Sequence, residues 1–261
     1  MTSQAHNVGD HLRAWRMRRR LSQLALASEA EISSRHLSFV ETGRSMPSRE
    51  MILRLAEQLQ IPMRERNVLL VAGGYAPLFP ERDLNNPALA AARAAIDVVL
   101  QSHKPFPAFA LDRHWRIVAS NAALPQLYEG VAKHLLQPPI NALRLSLHPD
   151  GLAPRIVNLP EWRAHLLGRL KQQADLTADP ALIALQKEVT SYPAPLLPPP
   201  SVDPAEVLVP FKIRVDSDCL SFFSTTTIFG TPVDVTLSEL AVESFFPADE
   251  QTATLVRRLS P

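Results

Sequence analysis

The segment 34–38 concentrates hydrogen-bonding side chains, namely those of Ser34, Arg35, His36 and Ser38. The apolar Leu37 lies between His36 and Ser38, and Val40 follows two residues after Ser38. If this segment is a helix, these two apolar side chains turn inward and the polar ones outward. Hydroxyl, imidazole and guanidinium groups can hydrogen-bond to base edges in the major groove of DNA. We therefore predict that the four polar side chains contact bases or the groove around them.

Three residues around this segment are suited to holding phosphate groups: Gln23, Thr42 and Arg44. Gln23 stands at the start of the preceding helical pattern, where unpaired backbone N–H groups attract anions. Arg44 follows Gly43, a residue type that commonly ends helices. Because phosphate contacts fix the register of a protein on DNA, these residues complete the prediction of a DNA-reading surface.

The elements that position these residues follow from apolar spacing. Apolar side chains recur at helical intervals through the first part of the chain: Val8, Leu12 and Trp15, then Leu24, Ala27 and Ala30, then Leu37 and Val40, and finally Ile52, Leu55, Ala56 and Leu59. Serines stand at three N-cap positions, Ser22, Ser33 and Ser48. About four residues separate the second and third helices, so the pair crosses steeply and leaves residues 33–42 protruding.

The sequence LSQLALASEAEISSRHLSFVETGR, residues 21–44, resembles the xenobiotic-response-element (XRE) type of bacterial and phage repressor domain. The resemblance covers about the first 72 residues. It implies a five-helix, lambda-repressor-like helix-turn-helix domain that binds double-stranded DNA, in which Glu41 braces the protruding helix instead of touching bases. The chain departs from the pattern at two positions: Glu31 stands where glycine is often found, and Phe39 where some relatives have a polar base-reading residue.

Charge is distributed unevenly along the chain. Residues 1–72 contain eleven arginines, no lysine and seven acidic residues, a net charge of +4, whereas the remainder has 16 basic and 19 acidic residues, a net charge of −3. A basic first domain fits a nucleic-acid partner. Two alternatives stay open. The arginine run that ends at Arg20 is either a solvated helix end or a set of phosphate contacts, and a small helical bundle can also bind proteins and no DNA.

A chain of 261 residues is longer than one small helical domain needs, so a second domain with its own core is expected. We predict a DNA-binding domain over residues 1–72, a linker over 73–87 with the sequence GGYAPLFPERDLNNP, and a second domain over 88–261. No apolar run is long enough for a membrane span, and no signal peptide is present. These features predict a cytoplasmic protein without membrane contact.

Motifs for metal binding or catalysis are missing from the sequence. A single cysteine, Cys219, excludes an internal disulfide, and no spacing of histidines and cysteines indicates a zinc site, so we expect no metal. No nucleophile elbow, phosphate-binding loop or dinucleotide-binding glycine pattern occurs, and we predict that the protein is not an enzyme.

The second domain shows a mixed pattern of helices and strands. Strands are predicted over residues 108–111, 115–120, 207–215, 220–229 and 242–246, and helices over 88–101, 159–173, 180–192 and 252–259. A proline-rich connector is predicted over 193–204. An antiparallel sheet with helices on one face would leave a concave space that a ligand can fill.

Three stretches of this domain are similar to the MmyB-type regulator domain, a PAS-like ligand-binding module: FPAFALDRHWRIVASNAA, NALRLSLHPDGLAPRIVNLPEWRAHLLGRL and FFSTTTIFGTPVDVTLSELAVESFFPAD. The similarity spans about residues 88–250. It implies a PAS-like antiparallel sheet with helices and a pocket for a small, largely apolar effector such as a fatty acid. Beyond such a bound compound, we expect no cofactor. We add the hypothesis of a homodimer whose DNA-binding domains are respaced by the effector.

Six residues are candidates for the ligand pocket: Phe109, Leu111, Trp115, Asn121, Phe222 and Phe229. The apolar ones either line a pocket or fill the core, and Asn121 either caps a helix or points its amide at a ligand. If the domain has a solid core instead, it is a dimerisation or protein-docking module and the protein binds DNA constitutively.

Overall fold

A computed structural model of the chain describes residues 7–193 and 208–259. The chain forms two compact units, one of Met1–Arg82 with Pro232–Ser238 and one of Asp83–Thr231 with Glu239–Pro261. Residues 194–204 of the predicted proline-rich connector, and residue 207 at the start of a predicted strand, lie outside the described residues. Within the described ranges no helix is both long and apolar enough to cross a membrane.

The described part of the first unit contains five consecutive α-helices: α1 (Val8–Arg18), α2 (Gln23–Glu29), α3 (Ser34–Glu41), α4 (Arg49–Gln58) and α5 (Met63–Ala72). The predicted N-caps are confirmed, because the hydroxyls of Ser22, Ser33 and Ser48 each accept a hydrogen bond from the backbone N–H three residues later. The prediction that Leu24 belongs to the core is wrong. Leu24 is 70% exposed, and Leu26 is buried in the core beside Ala27 instead.

Close approach of α1 to α3 depends on a glycine. A Cβ atom on Gly9 would lie 2.1 Å from the carbonyl oxygen of Val40, which is a steric overlap. The missing side chain lets the first turn of α1 pass directly against the second half of α3. Backbone packing therefore fixes one side of the helix that carries the predicted base-contact residues.

The turn between α2 and α3 contains Glu31 in the left-handed conformation, with a φ of 54°. This is the position where the resemblance led us to expect glycine, and a side chain there costs about 1–2 kcal/mol. The chain turns tightly because the N–H of Ile32 donates to the Ala27 carbonyl at 2.9 Å, in the last turn of α2.

Residues 73–82, predicted as part of a linker, pack within the first unit. The Asn67 side chain accepts hydrogen bonds from the backbone N–H groups of Leu78 and Phe79 at 3.0 Å each, and it donates to the Phe79 carbonyl at 2.7 Å. Tyr75 Oη donates to the Pro47 carbonyl at 3.1 Å. The division between the units consequently falls between residues 82 and 83, inside the predicted linker.

In the second unit, the strands within the described ranges form one antiparallel sheet: β1 (Ala108–Leu111), β2 (Ile117–Ser120), β3 (Phe211–Val215), β4 (Asp218–Ile228) and β5 (Ala241–Pro247). Each predicted strand overlaps one of these. The strand order is β2-β1-β5-β4-β3. In this order Glu243 on β5 stands opposite Phe109 on one side and Thr226 on the other.

The remaining helices of the described chain are α6 (Ala90–Ser102), α7 (Ala142–Leu147), α8 (Leu159–Thr177), α9 (Pro180–Thr190), α10 (Val235–Ser238) and α11 (Glu250–Leu259). Because side chains alternate along a strand, Phe109 and Leu111 on β1 point to one face of the sheet, and Ala108 and Ala110 to the other. All four are buried. The helix α6 contacts β1 and β5, while α8 contributes to the aromatic core on the Phe109 face. Helices thus cover both faces, whereas the sequence led us to expect one.

The segment Pro232–Ser238 lies between β4 and β5 in the sequence but belongs to the first unit. There, Arg82 Nη1 donates to the buried carboxylate of Asp234 at 2.9 Å. The backbone N–H of Val235 donates to the Pro80 carbonyl, also at 2.9 Å. No local pattern predicts this arrangement, because Arg82 and Asp234 are separated by 152 positions.

Candidate functional sites

The helix α3 presents a polar, accessible face. Ser34 and Arg35 are exposed, and His36 and Ser38 are half-buried. At about 100° of rotation per residue, Ser34, Ser38 and Arg35 lie within an arc of about 100°, and His36 lies about 100° beyond Arg35. The structure therefore places the four predicted base-contact residues on one helix and brings three of them onto one face.

Phe39 shares this face and supports Arg35. Its ring is half-buried, and the Arg35 Cζ atom lies 5.4 Å from the ring centroid, which is a cation-π contact. The contact keeps the guanidinium group close to the helix surface. The exposed part of the ring is an apolar surface of the kind that contacts thymine methyl groups.

The three predicted phosphate-contact residues differ in their existing hydrogen bonds. Arg44 is exposed. Gln23 Nε2 donates to Glu41 Oε2 at 2.7 Å, which leaves the second proton of this amide group for a phosphate. Thr42 Oγ1 donates to the Ser38 carbonyl at 2.7 Å. Because that bond uses the only hydroxyl proton, the Thr42 side chain has to rotate before it can donate to a phosphate.

Glu41 connects α1, α2 and α3. Its side chain is 1% exposed and accepts a paired contact from Arg16, with Nε to Oε1 at 2.6 Å and Nη2 to Oε2 at 2.8 Å. Gln23 adds the third hydrogen bond. The hydrogen bond to Glu41 raises the pKa of Arg16, so the arginine stays charged. These bonds agree with the bracing role that the resemblance implied for Glu41.

The arginine run at the end of α1 has members of two kinds. Arg16 is bound within the network of Glu41, and Arg19 Nε donates to the Leu59 carbonyl at 2.8 Å, just past the end of α4. Arg18 and Arg20 are exposed. Of these four arginines, only Arg18 and Arg20 are still candidates for phosphate contacts.

The second unit contains an apolar cavity between the sheet and the helices α7 and α8. Its volume is about 60 Å³, well below the range of roughly 300–1,000 Å³ that is typical of ligand pockets. Most of the lining is aromatic or leucine-rich and includes Trp162, Leu166, Phe211 and Phe245.

Three of the six predicted pocket residues, Phe109, Leu111 and Trp115, line this cavity. Phe222 does not: it is fully buried and packs in the aromatic core. Phe229 follows the end of β4, is half-buried, and also lies outside the lining. An apolar residue type alone could not separate these positions, since core and pocket linings have the same composition.

Asn121 likewise lies outside the cavity lining and binds backbone groups. Its side chain is buried, with Nδ2 donating to the carbonyls of Leu100 and Phe106 at 3.1 and 2.8 Å. Its Oδ1 accepts from the N–H groups of Ala108 and Ala123 at 3.2 Å each. These four bonds use the full capacity of the amide, so the assignment of Asn121 to the pocket is corrected to a structural role.

Two charged residues that the sequence analysis did not single out, Arg169 on α8 and Glu243 on β5, also line the cavity. Arg169 Nη2 donates to Glu243 Oε1 and, at 3.1 Å, to Thr226 Oγ1, which in turn donates to Glu243 Oε1 at 2.8 Å. The side chain of Glu243 is 4% exposed and that of Arg169 is 29% exposed. One signal was present in the sequence: Glu243 precedes Phe245 by two positions, which places a carboxylate on the inward face of a strand.

The ring of Trp115 is fixed beside this pair. Trp115 has a φ of 64°, which is unusual for a bulky residue, and its Nε1 donates to Gln173 Oε1 at 2.7 Å. The Arg169 Cζ atom lies 5.1 Å from the ring centroid. Arg169 is therefore held by an ion pair on one side and by an aromatic face on the other.

His165 lies close to the charged pair and stacks on Trp162, with ring centroids 5.5 Å apart. Burial lowers the pKa of His165, the positive charge of Arg169 lowers it further, and Glu243 opposes both effects. The imidazole is neutral at neutral pH. Among the described residues that line the cavity, Arg169 is therefore the one cation and Glu243 the one anion.

His134, His148 and Asp150 bring potential metal ligands within 4.8 Å of one another. The backbone N–H of Asp150 donates to His148 Nδ1 at 3.0 Å, which uses that lone pair and stabilises the turn at this point. His134 and Asp150 are exposed. The turn brings His148 and Asp150 together, and the ring of His134 packs edge-on against that of His148, with centroids 5.6 Å apart.

Comparisons with known proteins extend this description. Residues 92–259 match the family model of the MmyB-like transcription regulator ligand binding domain, and residues 7–69 match that of a helix-turn-helix domain. Among solved structures, the clp gene regulator ClgR from Corynebacterium glutamicum is 22% identical over 40% of this chain and 97% of that chain, with a TM-score of 0.24. No curated protein matches the chain.

Replacing Arg16 by methionine is expected to lower the free energy of unfolding of the first unit by about 3–5 kcal/mol, because Glu41 then stays buried without a counter-charge. Urea unfolding followed by circular dichroism measures the change. The control is Arg18→Met, which removes an exposed arginine from the same helix and is expected to change the free energy by less than about 1 kcal/mol. Equal effects of the two substitutions would contradict the bracing role of the pair.

Proposed function

Because the chain belongs to the family of MmyB-like transcription regulators, we propose that it is a sequence-specific DNA-binding regulator whose second unit senses a small, largely apolar effector. The family match and the helix-turn-helix match support a DNA-binding regulator. In this proposal the protein acts in the cytoplasm, where it reads DNA, and it works by binding and not by catalysis. We also propose that the second unit is PAS-like.

DNA reading is supported by one observation above all: the Glu41 network fixes α3 from behind while its opposite face keeps exposed hydrogen-bonding groups. A rigidly held helix with such a face suits a major groove. We assign base contacts to Ser34, Arg35, His36 and Ser38, and phosphate contacts to Gln23, Thr42 and Arg44. Arg35 is the principal candidate among the base contacts, because a guanidinium group can form two hydrogen bonds to one guanine.

Effector binding is supported by the apolar cavity of the second unit. An alkyl chain that leaves water for such a space contributes roughly 0.8 kcal/mol for each CH₂ group. Fatty acids and related acyl compounds are therefore the proposed class of effector. A unit that served dimerisation or docking alone would need no enclosed apolar space.

Arg35→Ala is expected to weaken binding to the specific operator by about 1–3 kcal/mol, roughly 5- to 150-fold. Fluorescence anisotropy with a DNA fragment from the region upstream of the gene measures this change. Arg257→Ala serves as the control, because it removes the same charge from an exposed site on α11. Unchanged affinity of the Arg35 variant would argue against α3 as the reading helix.

Extraction of the purified protein with organic solvent is expected to release an apolar compound that mass spectrometry identifies. DNA affinity, measured across a salt series before and after stripping and refolding, should fall steeply with salt and should change on stripping. DNA binding that is indifferent to stripping would favour a constitutive DNA-binding protein with a dimerisation or docking unit. No DNA binding would favour a protein-interaction bundle.

We also propose a homodimer in which effector occupancy changes the spacing of the two DNA-reading helices, because half-sites on one groove face lie about 34 Å apart. The segment Pro232–Ser238 supports this coupling, since the chain leaves β4 for the first unit and then returns to β5. Small-angle scattering and crosslinking are expected to show a dimer, both free and on the operator. A monomer in both states would rule out this mechanism.

A further inference from the structure

Arg35 and Phe39 give α3 one charged and one apolar group next to each other on its accessible side. We propose that these two residues act together: Arg35 binds a guanine, and the Phe39 ring contacts the methyl group of a thymine within two base pairs of that guanine. Phe39 is then a specificity-determining residue in addition to the four assigned base contacts. This inference rests on the proposed function, since it names part of the operator that the same helix reads.

Phe39 lies at the centre of the accessible side of α3. At about 100° of rotation per residue, Arg35 and Phe39 are about 40° apart around the helix axis. They point away from the three buried residues of the helix, Leu37, Val40 and Glu41. A helix that enters the major groove with this side forward brings the guanidinium and the ring toward the base edges.

Packing of the first unit does not account for an aromatic ring at this position. The ring is half-buried. Among the described residues, Phe39 belongs neither to the apolar core of this unit nor to the half-buried apolar side chains that pack against that core. A ring that stays partly in water gives up part of the free energy that its burial would contribute. An apolar partner that covers the exposed part of the ring recovers this contribution.

The two side chains contact each other, and the backbone of Phe39 is fixed at the end of the helix. Arg35 Cζ lies 5.4 Å from the ring centroid. The Phe39 carbonyl accepts hydrogen bonds from the N–H groups of Arg44 at 2.8 Å and Ser45 at 3.1 Å. A guanidinium that stacks on a ring still donates within its own plane, so its edge stays available for the N7 and O6 atoms of a guanine. This arrangement before DNA binds lowers the entropy cost of ordering the arginine side chain.

Thymine is the base whose chemistry fits the ring. In the major groove thymine presents a methyl group, whereas cytosine and adenine present amino groups. An amino group that faces a phenyl ring loses water without gaining an acceptor, so these two bases are disfavoured. Successive bases of one strand are about 3.4 Å apart along the axis. Because the guanidinium and the ring are 5.4 Å apart, the methyl group lies one or two base pairs from the guanine.

Replacing thymine by deoxyuridine tests the proposal, because it removes the methyl group and leaves base pairing intact. Footprinting of the full-length protein on the fragment upstream of its gene locates the operator. Single replacements of guanine by 7-deazaguanine, which lacks the N7 acceptor, identify the guanine bound by Arg35, because their effect disappears in Arg35→Ala. Fluorescence anisotropy with deoxyuridine at each thymine within two base pairs is expected to show one position where the wild-type protein binds about fourfold more weakly.

Variants of Phe39 assign this effect to its ring. Phe39→Ser is expected to bind the thymine and deoxyuridine operators equally, because no apolar side chain remains to contact the methyl group. Phe39→Leu keeps an apolar side chain and is expected to retain a difference of about twofold or more. Leu24→Ser is the matched control, since it removes an exposed apolar side chain from α2 and should keep the full difference.

The wild-type measurements need no variant of Phe39, so the proposal stays open to refutation if circular dichroism shows that Phe39→Ser is unfolded. Absence of a guanine coupled to Arg35, or of a methyl-dependent loss within two base pairs of it, would overturn the proposal and leave a DNA-binding protein. An undiminished loss in folded Phe39→Ser would assign the methyl contact to another residue and overturn it as well. Failure of the wild-type protein to bind DNA at all would refute the proposed function itself, which is a different result.

Discussion

A carboxylate that is withdrawn from water needs a cation and hydrogen bonds in its new surroundings, and this requirement organises both units of the chain. Glu41 pairs with Arg16 in the first unit, and Glu243 pairs with Arg169 in the second. The partners are 25 and 74 positions apart in sequence. Each ion pair therefore ties together elements that local helix or strand propensity would leave independent.

The two pairs differ in how completely the carboxylate is satisfied. Both oxygens of Glu41 are occupied, by Arg16 and Gln23, and the face of α3 that points away from them keeps its polar groups for a partner. Glu243 accepts its side-chain hydrogen bonds on one oxygen among the described residues. Glu41 is therefore a fully hydrogen-bonded buried carboxylate, whereas Glu243 keeps hydrogen-bonding capacity on the cavity wall.

Sequence reasoning succeeds here where the signal is local. A serine cap, an apolar repeat or a run of alternating residues involves neighbours in the chain, and these predict α3 and the positions of the strands. The pair of Arg169 and Glu243 depends instead on topology, because it requires β5 to lie between β1 and β4 and α8 to cover the sheet. Asn121 shows the same limit, since its four backbone partners come together through the fold.

Glu243 also lies on β5, one of the two strands that are connected through the segment Pro232–Ser238. Thr226, its hydrogen-bonded neighbour, lies on β4, and the chain between β4 and β5 includes Pro232–Ser238, where Asp234 pairs with Arg82 inside the first unit. Thr226 and Glu243 therefore lie on the two strands from which this segment departs and to which it returns. Because that segment is covalently continuous with both strands, the cavity is linked through it to the unit that carries α3.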